Sequence, residues 1–370
     1  MSRVAETDRL HERVRAFIDA SLAGAHRETF DRLACDLARH QAEYVPGVAS
    51  AFARAGVDPR ALDHAAAIPA LPTDVFRLRR IAAHPESEDL RVFATSGTTG
   101  SQRGRHPFRT LETYRRGALA WGARALWPDD ARLRVVLLTA DEERAPESSL
   151  GYMLARFADR HGGGRFFWDG ERLDHDALAR ELDEARAGDA PVLVAGTSFA
   201  FVHLCDAVRR ALPLPAGSRV MQTGGFKGRS REVEASALRR SIADLFALDE
   251  RAVIAEYGMT ELASQLYQGG IAALYGAPLV AGSSAADDAY HPPPWLRVEA
   301  ACPTTLATLP RGEVGIARFV DLANVDSSLA VQTADRVIVA ADGAVTLLGR
   351  LPGATPRGCS LALEHLLGHA

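Results

Sequence analysis

From Thr95 onward, short apolar runs alternate with longer stretches whose apolar residues recur at helical spacing, and this alternation limits the fold more than any other feature. Residues 135–138 form one such run. Residues 192–195 precede a helical pattern over 198–212, residues 219–222 precede another over 229–246, and a further run follows at 253–255. Short strands separated by helices are the pattern of an α/β fold. Ahead of this region, Leu10, Val14, Phe17, Ile18 and Leu22 recur at helical spacing, and a second amphipathic stretch covers residues 28–44, so a helical lead-in is expected. In the C-terminal third, residues 314–320, 337–340 and 345–348 read as strands, with Asp342-Gly343 as a two-residue hairpin turn whose central positions both need positive φ. Pro292-Pro293-Pro294 marks an exposed loop. The expected division is a helical lead-in over residues 1–90 packed on a core of 91–348, followed by a short segment, 349–370.

Composition removes several function classes. At 370 residues, with 47% apolar and 24% charged residues, the chain can bury a large core. A net charge of −4 without a Lys/Arg cluster lacks the electrostatic footprint of a nucleic-acid binder. No apolar run approaches the roughly 18 residues of a membrane span, and the N-terminus carries charges of both signs, so a cytoplasmic protein is expected. Cys35, Cys205, Cys302 and Cys359 are scattered, without a Cys-x-x-Cys pair, which argues against a disulfide framework or a zinc site.

Two short segments carry chemistry. Thr95-Ser96-Gly97-Thr98-Thr99-Gly100 follows the apolar Val92-Phe93-Ala94 and offers two glycines and four hydroxyls. Glycines allow close backbone approach to an anion and hydroxyls add donors, which suits a polyphosphate, although a solvated turn has the same composition. The Gly-Lys-Ser/Thr ending of a Walker A loop is absent. Tyr257-Gly258-Met259-Thr260-Glu261 supplies the second segment, and Glu261 is a hard oxygen donor of the kind magnesium takes alongside substrate phosphates. Its plainer reading is a carboxylate at a helix start.

Together the two segments, in this order and about 160 residues apart, resemble the signatures of the adenylate-forming superfamily of acyl-CoA ligases, nonribosomal adenylation domains and luciferases. The resemblance implies the large N-terminal-type core of such an enzyme, with β-sheets layered by helices, using ATP and Mg2+ on a carboxylic acid. It assigns the 95–100 loop and Tyr257, Gly258, Met259 and Thr260 to the nucleotide, and Glu261 to magnesium. In Thr223-Gly224-Gly225, the glycines Gly224 and Gly225 match the turn along the adenine; without the family this is a plain strand-to-helix turn. Thr333-Ala334-Asp335 and Gly349-Arg350 match the ribose-holding aspartate and the nucleotide-side arginine. A two-residue turn at Asp342-Gly343 would place Asp335 directly opposite Arg350, unless a bulge intervenes; the plain reading is a cross-strand ion pair. The Pro-Lys common after the glycine loop is replaced by Gln102-Arg103-Gly104-Arg105-His106, leaving Arg105 or His106 as candidate cations near the phosphates, or simply a solvated loop.

Within the superfamily the chain resembles one branch, the acyl-protein synthetases of the LuxE type. The similarity runs from Ile68-Pro69-Ala70-Leu71-Pro72 through Ser148-Ser149-Leu150 and Gly196-Thr197-Ser198-Phe199 to Arg357-Gly358-Cys359-Ser360-Leu361. It implies that the usual lid domain is missing, since the sequence ends at Ala370 and Pro352 stands where a hinge aspartate is expected. It also implies that Cys359 takes the acyl group from AMP as a thioester and passes it to a partner acyl reductase or another acyl-accepting protein. A thiolate attacking a mixed anhydride is sound chemistry, and a small apolar residue packed beside Leu361 and Leu363 is the alternative. Gly196, Thr197, Phe199 and His203 are the candidate acyl-pocket residues, with a core histidine as the other reading of His203. The function expected is activation of a fatty or other hydrophobic acid. Direct delivery to CoA, a carrier protein or an amine, and an inactive nucleotide-binding scaffold, are the alternatives.

Overall fold

The computed structural model describes residues 2–25, 27–95, 103–169, 172–208, 210–224, 234–280 and 288–351. The chain divides into two compact units, one of residues 1–120, 259–265 and 292–370, the other of residues 121–258 and 266–291. Among the described residues no helix is long and apolar enough to cross a membrane.

The first unit opens with α1 (Arg3–Ala23), capped by the Ser2 hydroxyl accepting from the Ala5 N–H at 3.3 Å. Its Leu10, Val14, Phe17 and Ile18 form one buried stripe. Next come α2 (Phe30–Tyr44), capped by Thr29, and α3 (Pro46–Ala55), where Pro46 stands in the first turn and loses no helical bond. The short β1 (Leu71–Pro72) and α4 (Val75–Leu78) lead to the antiparallel pair β2 (Arg91–Ala94) and β3 (Arg105–Phe108). Within α5 (Glu112–Leu126) the chain passes into the second unit.

The second unit is a sheet wound with helices. It runs through β4 (Arg134–Leu138), α6 (Ser149–Arg160), β5 (Gly164–Phe166), α7 (His175–Ala187), β6 (Val192–Thr197), α8 (Ser198–Ala207), β7 (Arg219–Thr223), α9 (Ala235–Phe246) and β8 (Val253–Tyr257). After β8 come β9 (Leu266–Gln268), α10 (Gly270–Leu274) and β10 (Tyr290–His291). Spatial order is β5-β4-β6-β7-β8-β9-β10, parallel from β5 to β8 and antiparallel beyond. Parallel strands buried on both faces need continuous apolar runs, which Val192-Leu193-Val194-Ala195 provides; Val192 and Val194 share one core with Phe201, Ile242 and Phe246. Each such side chain contributes about 1.5–3 kcal/mol when fully buried.

The first unit then resumes with β11 (Leu296–Ala301), β12 (Val314–Asp321), β13 (Ala330–Val339) and β14 (Val345–Arg350), an antiparallel meander to which β1 adds in parallel through Leu71↔Val331. The α/β class expected from the alternation is the class found. Two local expectations change. Pro293 is buried, its carbonyl accepting from the Leu296 N–H at 2.9 Å, so the triple-proline stretch is only partly an exposed loop. The β13–β14 turn is a three-residue loop rather than a two-residue one: Val339 pairs with Val345, Gly343 N–H donates to Ala340 O, and only Gly343 has positive φ, at 88°.

Candidate active site

In the first unit the β2–β3 hairpin presents the glycine-rich loop. Phe93 and Phe108 bury their rings 5.3 Å apart and anchor its base. At its mouth the Thr95 N–H donates to Gly104 O and the Gly104 N–H to Thr95 Oγ1, each at 2.9 Å, while the Arg103 guanidinium donates to Thr95 O and Ala94 O at 2.5 and 3.2 Å. Thr95 therefore has a fixed rotamer. Of the predicted phosphate loop, Ser96, Gly97, Thr98, Thr99 and Gly100 lie outside the described residues.

Gly104 is where separate segments converge. A Cβ there would stand 3.1 Å from Thr95 Cγ2, 3.3 Å from Glu261 Oε1 and 3.4 Å from Arg77 Cγ, so a residue without a side chain lets a hydroxyl-bearing loop mouth, a carboxylate and an arginine stem meet. Glu261 is 7% exposed and sits in a turn closed by Leu262 N–H donating to Met259 O at 3.1 Å; no helix starts there, which removes the helix-start reading. The donor fits magnesium chemistry: a carboxylate is a hard oxygen ligand, and Mg2+ on a nucleotide usually takes one or two carboxylates together with the substrate phosphates. Among the described residues no group of three or more His, Cys, Asp or Glu is placed to hold an ion by itself.

Arg77 and Asp74 were not singled out from sequence. Arg77 lies on α4 with its Nη1 3.8 Å from Asp74 Oδ1. Asp74 is 6% exposed, its Oδ2 has no hydrogen-bond partner among the described residues, and burial raises its carboxyl while Arg77 and Arg350 pull the other way. The signal available in sequence was the charged stretch Thr73-Asp74-Val75-Phe76-Arg77 next to the recognised Ile68–Pro72 motif, in a segment too short to show periodicity.

His106 is corrected. It is not a phosphate-side cation: it is 1% exposed, its Nδ1 donates to Thr260 O at 2.7 Å and its Nε2 lies 2.7 Å from the Ser327 hydroxyl. A carbonyl can only accept, so Nδ1 carries the proton and Nε2 accepts from Ser327. Burial drives the imidazole down to about 4, which makes it neutral. Arg105 is exposed on β3.

Asp335 and Arg350 are paired, Nε to Oδ1 at 3.3 Å, and stand directly opposite in the ladder. The route differs from the one expected. The three-residue turn shifts the register by one, and a bulge shifts it back, because Leu348 and Gly349 together oppose Arg336. Gly349, at φ 81°, takes the left-handed position of that bulge.

In the second unit the remaining candidates lie at the C-terminal ends of parallel strands, where open α/β sheets bind ligands. Gly196 and Thr197 end β6, and Thr197 Oγ1 caps α8 by accepting from Ala200 N–H at 3.2 Å. Phe199 and His203 share a face of α8, rings 4.5 Å apart, with Trp168 5.6 Å from Phe199. His203 is exposed, so it is not a core histidine. Gly224 follows β7 at φ 75°; Gly225 lies outside the described residues. Tyr257 ends β8 half-buried, edge-on to Tyr290 at 6.4 Å, and Gly258 is exposed. Met259 and Thr260, both half-buried, continue the motif in the first unit. Between these strand ends, Thr223 Oγ1 hydrogen-bonds Glu256 Oε2, and burial lifts the Glu256 carboxyl to about 7.

Cys359 and Pro352 lie outside the described residues. Among the described thiols, hydrogen bonds from the Thr304 and Thr305 hydroxyls bring Cys302 down to about 6.

A family model for acyl-protein synthetases, LuxE, matches residues 51–368. No curated protein matches the chain. Among solved structures, an open conformation of 2-hydroxyisobutyryl-CoA ligase in complex with 2-HIB-AMP and CoA is similar at 15% identity and TM-score 0.62, covering 87% of this chain and 70% of the ligase. The same ligase in its postadenylation state gives 16% identity and TM-score 0.62 over 87% and 68%. At such identity the likeness is one of fold.

Proposed function

Because the chain belongs to the acyl-protein synthetase family, LuxE, and has the fold of an adenylate-forming ligase core, we propose that it activates a hydrophobic carboxylic acid with ATP and Mg2+ to acyl-AMP, then takes the acyl group on Cys359. The observation that supports this reading most is the convergence on Gly104: the mouth of the glycine-rich loop, at Thr95, and the Glu261 carboxylate of the second signature meet from distant parts of the sequence. The 95–100 loop would cradle the β- and γ-phosphates with backbone N–H groups and hydroxyls, and Glu261 would hold a magnesium ion that would offset their negative charge. Arg77 would offer positive charge at the same place, in the role left open by the missing Pro-Lys. Asp335 would hold the ribose and Arg350 approach the nucleotide. Gly224, Gly225 and the 257–260 segment would line the base, and Gly196, Thr197, Phe199 and His203 would meet the acyl group. Catalysis in this scheme is positioning and charge stabilisation during in-line attack of the carboxylate on the α-phosphorus, with pyrophosphate leaving.

In the second step the Cys359 sulfur attacks the acyl carbonyl. A C–S bond forms, the C–O bond to AMP breaks, AMP leaves with the electron pair, and the thiol proton passes to solvent. Onward transfer to a partner protein such as an acyl reductase completes the scheme. Carboxylate-dependent ATP–pyrophosphate exchange tests the first step: exchange with short, long or aromatic acids is expected in the wild type and lost in Glu261→Ala, and no exchange with any acid refutes adenylation. Intact mass after incubation with ATP and acid tests the second. One hydroxylamine-labile adduct is expected, absent in Cys359→Ala and retained in Cys302→Ala; the reverse pattern would move the acceptor to Cys302.

A further inference from the structure

From the last residue of β12, through the connection and into β13, the chain is unusual in being buried without a break: residues 321–334 are all excluded from solvent, although they include Asp321, Asn324, Asp326, Ser327 and Ser328. A buried connection must satisfy its polar groups internally, and an apolar filling would serve packing equally well. Asp326 faces the Arg109 N–H and His11, and Ser328 donates to Ala330 O, but the other three serve one short segment, the turn that carries Glu261: Asn324 and Asp321 directly, Ser327 through His106. Asn324 Nδ2 donates to Glu261 O at 2.9 Å and to Ser328 O at 3.0 Å. Asp321 accepts from Ala263 N–H at 3.0 Å through Oδ2, and from the Ser264 hydroxyl at 2.7 Å and Ala323 N–H at 3.0 Å through Oδ1. From β3, His106 donates to Thr260 O, and Ser327 fixes its tautomer. Thus the backbone or side chain of residues 260, 261, 263 and 264 is held by a buried polar group on both sides of Glu261.

We infer that His106, Asn324 and Asp321 are positioning residues that hold the 260–264 turn so that the Glu261 carboxylate stays at the mouth of the glycine-rich loop, and that loosening them lowers affinity for the divalent cation. The inference rests on the reading of Glu261 as the magnesium-side carboxylate. Its physical basis is that a carboxylate on a free turn must be ordered when the ion binds, whereas a clamped one is ordered already. Groups that orient a metal ligand without touching the metal are worth about 10–100-fold in metal affinity or activity. The imidazole is well suited to the task. It is wedged between Phe76 and Phe108, with ring centroids at 5.8 and 4.3 Å, so both its nitrogens are aimed without rotational freedom.

The test separates this role from a general loss of stability. ATP binding to the full-length protein is measured by calorimetry at saturating Mg2+ and again in EDTA, and the ratio of the two affinities is the readout. His106→Phe keeps the aromatic packing and loses both hydrogen bonds. Ser327→Ala is the milder variant and decides the matter if His106→Phe does not fold. Glu261→Ala should collapse the ratio towards one. His106→Phe should lower it about 10–100-fold, and Ser327→Ala in the same direction by less, with ATP affinity in EDTA unchanged. If Glu261→Ala keeps the wild-type ratio, the magnesium reading itself fails. If Glu261→Ala loses the ratio while the folded His106→Phe and Ser327→Ala retain it, the positioning role is overturned and the magnesium reading stands.

Discussion

Replacing Gly104 with alanine is the sharpest probe of the proposed site, because the added methyl enters a gap whose three walls are known. Its nearest neighbours would be Thr95 Cγ2 at 3.1 Å, Glu261 Oε1 at 3.3 Å and Arg77 Cγ at 3.4 Å, whereas relaxed heavy-atom contacts lie at about 3.5–4.0 Å. Something must therefore move by a few tenths of an ångström. Thr95 resists, since its hydroxyl and N–H are both bonded to Gly104. The Arg77 stem yields at little cost, and the Glu261 carboxylate must swing away because its backbone is tethered by Asn324. Overpacking of this kind costs about 1–3 kcal/mol, here at the lower end because one wall is a flexible stem. Misplacing a catalytic group by about 1 Å costs about 100-fold in rate, so a shift of half that size predicts a loss on the order of 10-fold. ATP–pyrophosphate exchange and a thermal melt on the same preparation measure both. Wild-type exchange in a variant of wild-type stability would mean that Thr95 and Glu261 do not converge on Gly104, and the structural support for the site would be gone.

Two further predictions concern protonation. His106 is held at about 4 against an ordinary 6.5, so below pH 6.5 the unfolded chain binds a proton that the folded one refuses, and stability is lost as pH falls from 6.5 towards 4. The full difference is about 3 kcal/mol, so the stability gap between wild type and His106→Phe in urea should narrow by that order between pH 7 and 4; a constant gap refutes a buried neutral imidazole. Glu256 has the opposite sign: its carboxyl is raised from 4.5 to about 7, so its contribution is present at low pH and lost as pH rises through that window. Glu256→Gln should gain on the wild type by a few kcal/mol, on the order of 3, from pH 4.5 to 8, and parallel pH profiles would refute the assignment.

How much of this was legible in the residues differs from place to place. Helical and strand periodicities are local, and the strands at residues 134–138, 192–197, 219–223 and 253–257 lie where their apolar runs predicted. The Asp335–Arg350 pairing was anticipated, yet through a turn the protein does not use. Register is a sum over every insertion between two residues, and the three-residue loop and the Gly349 bulge cancel. No pattern in a single strand reveals such a cancellation. His106 was misjudged for a different reason. A histidine in a polar stretch looks like a surface cation, and only knowledge of what packs over it reveals that water is excluded.

The residues themselves determined the α/β class, the helical lead-in and the two signatures that mark an adenylate-forming enzyme, since these depend on neighbours within a few positions or on motifs that carry their own identity. The tertiary structure decided which distant groups meet: that Arg77 joins Thr95 and Glu261 around Gly104, that a buried polar connection grips the turn bearing Glu261, and that Asp74 lies within the field of Arg350. It also decided charge. An imidazole or a carboxyl has one ordinary pKa in water, and whether His106 is neutral or Glu256 keeps its proton depends on how completely the fold strips water from it.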